Sequence, residues 1–469
     1  MVKLFQTSGI AELPVVAHLQ SRHARVAALH GGKDIRHAAR TKYGRAGSAS
    51  AHGQVVRYSA TVVVGDRPRG LHEERHIMGK PSVSRHNATI KRREFLSSAA
   101  LPVAAALTPS ALWAQRDGQP GPATPGRIRI GIVGAGGIVG ARHIPGLRRM
   151  PGVEIVAVAN RSLESSRRAA DEFGIARAYA DWEQLIAAEG IDAILIGTWP
   201  YMHRTITLAA LETGRHVLCQ ARMANNAGEA REMLAASQRH SDLVCQLVPT
   251  SGSYRIDRAL QGLLGNGEIG EVLSVEVQML QRRFADFDGE LDWRHNPEFS
   301  GINVLNVGGT YESVMRWLGP GNRVMSKTRA HVPMRRDEQG VLRAATMPDH
   351  VEVLYELSNG APVHMKFSET TGLSRGNDIW IFGSEGTIQV DSEQNIYVGR
   401  RGDSALAAYP NPPEQQARYR VEEEFINAIR GVEPVALNTF DIGVRYMEWT
   451  EAIYRSAESG NTVNLPLAG

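Results

Sequence analysis

Short apolar runs alternate with amphipathic stretches from Arg127 to about Val248. RIRIGIV reads as a strand, and a glycine cluster and the helical stretch GAGGIVGARHIPGL follow it. VEIVAVAN (Val153 to Asn160) is a second strand, and IDAILIGTW is a third, leading into the helical MHRTITLAALETG. The strand HVLCQ, a helix rich in Ala and Glu, and the strand LVCQLV complete the series. Apolar strands separated by helices predict an α/β fold, a doubly wound parallel sheet covered on both faces. Further on, VEVLYELSNGAPVHMKFSET holds strand-like runs broken by Asn-Gly, a strong hairpin signal.

The chain has 469 residues, enough for two domains and an appendage. Its 42% hydrophobic and 22% charged residues exclude a collagenous, disulfide-scaffold or wholly disordered chain. The formal charge of +4 is unevenly spread. Met1 to Ala114 carries 17 Lys and Arg against 6 Asp and Glu, which leaves 36 against 43 for the remainder, a net −7. An acidic body argues against a nucleic-acid partner. Cys219 and Cys245 are the only cysteines, and the 7 histidines before Met78 are scattered without ligand spacing, so no metal site is expected. The two cysteines end neighbouring strands and are read as buried free thiols.

The segment IKRREFLSSAALPVAAALTPSALWAQ has paired Arg92 and Arg93 ahead of an apolar run that ends at Leu107 and contains Pro102. That run is too short to span a bilayer of roughly 30 Å, so no permanent membrane span is expected. It resembles a twin-arginine export signal with a cleavage site near Ala114, which implies recognition by the twin-arginine machinery and delivery of a folded protein to the periplasm. Residues 1–77 are read as a non-native or disordered leader with Met78 as initiator. The signal then covers 78–114, a linker 115–126, a dinucleotide-binding domain 127–248, and a second domain 249–469.

Gly134 and Gly136 permit a tight turn and close backbone approach to a pyrophosphate at a helix N-terminus, with Gly137 and Ile138 alongside. The third position of the G-x-G-x-x-G pattern is Val139, and Gly140 comes one residue late. A carboxylate at the end of the second strand hydrogen-bonds the adenosine ribose and repels a 2′-phosphate; here Asn160, Arg161 and Ser162 occupy that place. Asn160 removes the repulsion and Arg161 suits a phosphate, so NADP is favoured over NAD.

From Arg127 to the C-terminus the chain resembles the Gfo/Idh/MocA oxidoreductases. The resemblance rests on the glycine entry, DAILIGTWPYMHRTITLAALETGRHVLCQARMA, GEIGEVLSVEVQ, DWRHNPEFSGINVLNVGGTYESVMRWLG, FGSEGTIQV and GVRYMEWTEAIYRSAESG. It implies a second α/β domain with an open, largely antiparallel sheet that often forms an oligomer interface, and a substrate cleft between the domains. It also places Thr198, Trp199, His203 and Gln220 near the cofactor, and Trp293 and Arg294 beside the substrate.

The catalytic pattern of the family departs here. Where members usually carry Glu-Lys-Pro, this chain has Gln220, Ala221 and Arg222; where they place Asp and, four residues later, His on a helix, it has Asn306 and Thr310. Alcohol oxidation needs a proton acceptor, and Asn and Thr do not titrate near neutrality. Arg222, Tyr311, Glu312 and Tyr201 are the candidate replacements, with Asn306 and Thr310 kept as substrate contacts. The sequence reads as a periplasmic NAD(P)-dependent oxidoreductase of a sugar or polyol with a tightly held nucleotide. The alternatives are a redox-neutral NAD-dependent enzyme that cleaves glycosides, and a non-catalytic binding member.

Overall fold

The computed structural model describes residues 126–249 and 254–468. The leader, the export signal and Met78 lie outside the described residues.

The first half runs β1 (Ile128–Val133), a π-helical turn (Val139–His143) continuing into α1 (Ile144–Arg148), β2 (Val153–Ala159), α2 (Leu163–Phe173), β3 (Arg177–Tyr179), α3 (Trp182–Ala187), β4 (Ala193–Ile196), α4 (Pro200–Glu212), β5 (His216–Cys219), α5 (Ala227–Arg239) and β6 (Cys245–Leu247). The strands pair in parallel in the order β3-β2-β1-β4-β5-β6. Ile130, Ile132, Ile194, Leu195, Ile196 and Leu218 are fully buried, as strands covered on both faces must be. Side-chain caps start the helices: Ser162 accepts from Ser165 N at α2, Asp181 from Gln184 N at α3, and Asn226 from Glu229 N at α5. Strand order reverses between β1 and β4, which opens a crevice at their carboxyl ends.

The second half contains α6 (Tyr254–Gly265), β7 (Val272–Leu280), α7 (Pro297–Ser300), α8 (Val307–Leu318), β8 (Gly321–Arg329), β9 (Met334–Arg336), β10 (Leu342–Ala344), β11 (His350–Leu357), β12 (Pro362–Ser368), β13 (Asp378–Gly383), β14 (Gly386–Val390), β15 (Ile396–Arg400), β16 (Ala407–Tyr409), α9 (Val421–Ile429), α10 (Phe440–Ser459) and β17 (Val463–Asn464). Its main sheet has the order β16-β15-β14-β13-β7-β12-β11-β8-β17, antiparallel throughout except for β12 beside β7. The Asn359-Gly360 turn joins β11 to β12, and Ser384-Glu385 joins β13 to β14. In β11 the residues Val351, Val353, Tyr355 and Leu357 are buried in strict alternation, the period of a sheet packed on one face. Helix α10 packs against β8, α5 and α8, and so ties this sheet to the parallel one.

A division at residue 248 separates parts that the fold joins. Val421, Phe425 and Ile426 of α9 share a core cluster with Ile130, Ile132, Val139 and Leu147. Buried His143 Nδ1 meets buried Glu422 Oε1 at 2.5 Å across the same contact. Cys219 and Cys245 are free thiols whose burial pushes both upward, Cys245 to about 12. Among the described residues, no helix is long and apolar enough to cross a membrane, and no cluster of three His, Cys, Asp or Glu is arranged to hold a metal ion.

Candidate active site

The turn after β1 is built for close approach. Gly134 has φ +89°, and a Cβ there would lie 2.8 Å from the Gly197 carbonyl carbon and Thr198 N. Gly136 and Gly137 are exposed, and Cβ positions on them meet nothing within 4 Å, so the turn presents an open backbone cradle at a helix start. Ile138 is 45% exposed beside it. The late glycine has a physical explanation. The π-helical turn holds one residue more than an α-turn, and it carries Gly140 to Phe173, where a Cβ would lie 2.6 Å from Cζ. Gly140 thereby takes the close-packing role that the pattern assigns to its third glycine.

At the end of β2 the structure revises one expectation. Asn160 Oδ1 accepts from Ala135 N at 2.8 Å and its Nδ2 donates to Ser165 O at 3.1 Å. Its amide braces the glycine turn, so it is a positioning residue with both ends of its amide engaged. Arg161 is exposed. His203 is also revised: it is fully buried, with Nδ1 2.9 Å from Arg222 O and Nε2 2.9 Å from Thr198 O. Burial pushes its pKa down despite those carbonyls. It ties the loop after β4 to the segment after β5 and has no surface to offer a ligand. Gln220 Oε1 accepts from Ala221 N, its own neighbour. Thr198 Oγ1 is buried without a partner in the same crevice.

Beyond β5 the two halves are stitched together. Ile302 N donates to Asn225 O at 2.8 Å and Asn303 Nδ2 to Ala224 O at 2.8 Å. Leu305 and Asn306 then adopt left-handed backbone, φ +47° and +59°, immediately before α8. Such conformations cost of order 1–3 kcal/mol each and cluster at functional sites. Asn306 makes no side-chain cap; its Oδ1 lies 3.4 Å from Arg222 Nη1. Asn306 and Thr310 share one face of the helix with Ser313 and open on a cavity of about 230 Å³. Asn377 and Asp378 at the start of β13, and Asp391 and Ser392 after β14, line the opposite wall.

Asp378 is the residue that sequence reasoning missed. It is 9% exposed, and its Oδ2 is held by Arg375 Nε at 3.1 Å and Trp380 Nε1 at 3.3 Å. Its Oδ1 is buried with no partner. A buried, unpaired carboxyl oxygen is costly, and here it belongs to a residue of the cavity wall. Nothing in RGNDIW signals this, because only the pairing of β13 with β7 carries Asp378 to α8.

Two candidate bases are displaced. Tyr311 is 1% exposed, stacks on Trp449 at 4.2 Å and 1°, and its hydroxyl accepts from Gly321 N. Burial pushes it up to about 12. Glu312 is 2% exposed and pairs with Arg316, which also holds Asp257. Both side chains face the core because a helical residue turns about 100° from its neighbour, and Thr310 claims the cavity side. Tyr201 is 41% exposed at the start of α4, tilted against Phe299 at 5.5 Å. Trp199 stacks on Trp293 at 5.3 Å and 10°, and the Arg294 guanidinium covers Trp293 at 4.3 Å. These form an aromatic platform rather than an acid–base set.

Comparison with known proteins decides the family. The description "Oxidoreductase family, NAD-binding Rossmann fold" matches residues 128–247, and "GFO/IDH/MocA C-terminal domain" matches 258–389. The chain belongs to the Gfo/Idh/MocA oxidoreductase family. An uncharacterized oxidoreductase of Rhizobium meliloti is 26% identical over 346 residues, 71% of this chain and 98% of that protein. The inositol 2-dehydrogenase/D-chiro-inositol 3-dehydrogenase of Shouchella clausii is 29% identical over 360 residues, 72% of this chain and 94% of that protein. The solved structure of levoglucosan dehydrogenase in complex with NADH and L-sorbose shares the fold, with a TM-score of 0.64 at 21% identity, covering 72% of this chain and 99% of that one.

The residues present fit the family's dinucleotide. The Gly136–Gly137 cradle is open, Gly134 permits the close turn, and the buried Thr198 hydroxyl in the crevice is orphaned.

Proposed function

We propose that this Gfo/Idh/MocA member is an NAD(P)-dependent oxidoreductase that interconverts a hydroxyl and a carbonyl on a sugar or polyol, with Asp378 in place of the missing base. The observation that carries this reading is the Asn306–Thr310–Asp378 cavity, which adjoins Arg222 at the carboxyl end of the parallel sheet. The activity on inositols named for the Shouchella clausii relative supports the substrate class.

A nicotinamide dinucleotide held along Gly134, Gly136 and Gly137 supplies the hydride acceptor or donor. Asp378 Oδ1 takes the hydroxyl proton during oxidation and returns it during reduction, while Arg375 and Trp380 hold the other oxygen in place. Asn306 and Thr310 hydrogen-bond the substrate's hydroxyls. Arg222 puts a positive charge at the Asn306 end of the cavity. NADP is the favoured nucleotide, because Asn160 brings no carboxylate to repel a 2′-phosphate and Arg161 is exposed beside it. Export in the folded state and a tightly held nucleotide complete the reading. Exposed Met325 and Leu354, cross-strand partners on β8 and β11, favour a second copy of the chain against that sheet face.

The test is nicotinamide absorbance at 340 nm with NADP and NAD over a panel of sugars, polyols and their acids, backed by nucleotide titration. Substrate-dependent reduction of nucleotide supports the reading; nucleotide binding with no absorbance change for any compound, in either direction, contradicts it.

A further inference from the structure

We infer that the substrate carries a carboxylate and that Arg222 receives it, so that the ligand class is a monosaccharide-sized sugar acid. This deepens the oxidoreductase reading and rests on it.

Arg222 is half-buried, and its Nε is fully buried without a partner. Among the described residues, its guanidinium makes one hydrogen bond, the 3.4 Å contact with Asn306 Oδ1, and no carboxylate lies within ion-pair distance of it. Burial pushes its pKa down to about 10, and the nearby Arg294 charge pushes in the same direction. Arg316, also withdrawn from solvent, shows the usual arrangement: two carboxylates meet it. A desolvated guanidinium without a counter-charge is unfavourable unless a ligand completes it.

The surroundings favour an anion at this point. The positive end of α8 begins at Val307, directly after Asn306, whose side chain leaves the helix uncapped. Tyr454, whose hydroxyl is buried and unpaired, is among the groups that act on Arg222. The terminal edge formed by Nη1 and Nη2 matches the two oxygens of a carboxylate. From Asn306 the cavity continues to Thr310, Ser313, Asn377 and Ser392, neutral groups suited to hydroxyls. Asp378 and Asp391 on its wall disfavour a carboxylate there, so charge orients the ligand with its acid group on Arg222 and a hydroxyl toward Asp378.

Calorimetric titration of the full-length protein, with and without saturating NADPH or NADH, compares D-gluconate and D-glucuronate with D-glucitol, D-glucose and D-glucose 6-phosphate. At least one acid is expected to bind about 10- to 100-fold more tightly than the neutral compounds and the phosphate. Arg222→Gln removes that preference while nucleotide affinity stays within about threefold, and Arg222→Lys restores part of it. Neutral or phosphorylated compounds binding as tightly as the acids, or an acid preference that survives in Arg222→Gln, would overturn the inference. The wild-type comparison decides alone if Arg222→Gln does not fold. Absence of nucleotide binding counts against the oxidoreductase reading, and acid preference is read separately in the nucleotide-free titration.

Discussion

The Asn306 carboxamide lies 3.4 Å from the Arg222 guanidinium, and this contact joins the carboxyl end of the parallel sheet to the start of α8. It places a cation from one half of the protein at the mouth of a polar cavity in the other. The left-handed backbone at Leu305 and Asn306 sustains it.

If Asp378 moves the proton, Asp378→Asn should lower kcat by a factor of about 100 to 10,000 with little change in nucleotide affinity. Steady-state kinetics on the best substrate, paired with a nucleotide titration, checks this. Unaltered turnover would remove Asp378 from the mechanism.

The glycine turn allows binding to be separated from folding. A side chain at Gly136 meets no protein atom, so Gly136→Val should leave Tm nearly unchanged and weaken the nucleotide at least about tenfold. Gly134→Ala, forced against Gly197 and Thr198 at positive φ, should lower Tm as well. Differential scanning fluorimetry with and without nucleotide distinguishes the two.

Tyr311→Phe and Glu312→Gln should act on stability and not on chemistry. The first leaves Gly321 N without its acceptor, at a cost of about 1–3 kcal/mol. The second weakens a buried cluster in which Arg316 meets two carboxylates, at a cost of about 3 kcal/mol. Denaturant unfolding measures both losses, and kcat of the folded fraction should stay within about twofold.

Glu424 gives the fold a pH dependence of definite sign. Burial raises its pKa from 4.5 to about 7, although Ala436 N and Leu437 N donate to it. The folded protein therefore binds more protons than the unfolded chain between pH 4.5 and 7, and stability falls as pH rises through that window before levelling above it. This share is at most about 3 kcal/mol. Glu424→Gln, whose amide can pair with the buried, unpartnered Gln246 Oε1 once that amide is turned, should flatten the slope. A slope unchanged in the variant would assign it to other groups.

The sequence made the sheets legible because the strands carry their burial in their own pattern: an unbroken apolar run in β4, an apolar run interrupted at Arg129 in β1, alternation in β11, and Asn359-Gly360 at the hairpin. Asn306, Thr310 and Arg222 were legible through the family spacing. The rest depended on tertiary placement. No local signal told which face of α8 meets the cavity, so Tyr311 and Glu312 were read as bases although their faces pack inward. Asp378 needed the pairing of β13 with β7, and Asn160 became a brace only once Ala135 N stood within 2.8 Å of it. The packing of α9 on α1 was invisible because the elements are distant in the chain, and a single sequence gives no measure of their proximity.

The proposed oxidoreductase depends on a pyridine nucleotide lying along the turn at Gly134 to Gly137. Its most direct test is denaturation of the freshly purified protein, followed by chromatography and mass spectrometry of whatever is released, with NADPH and NADH titration of the emptied, refolded chain. The expected result is a nicotinamide dinucleotide, either released or bound stoichiometrically on titration, and bound at least about tenfold more weakly by Gly136→Val. No release and no binding of either nucleotide by the folded wild-type protein would contradict it.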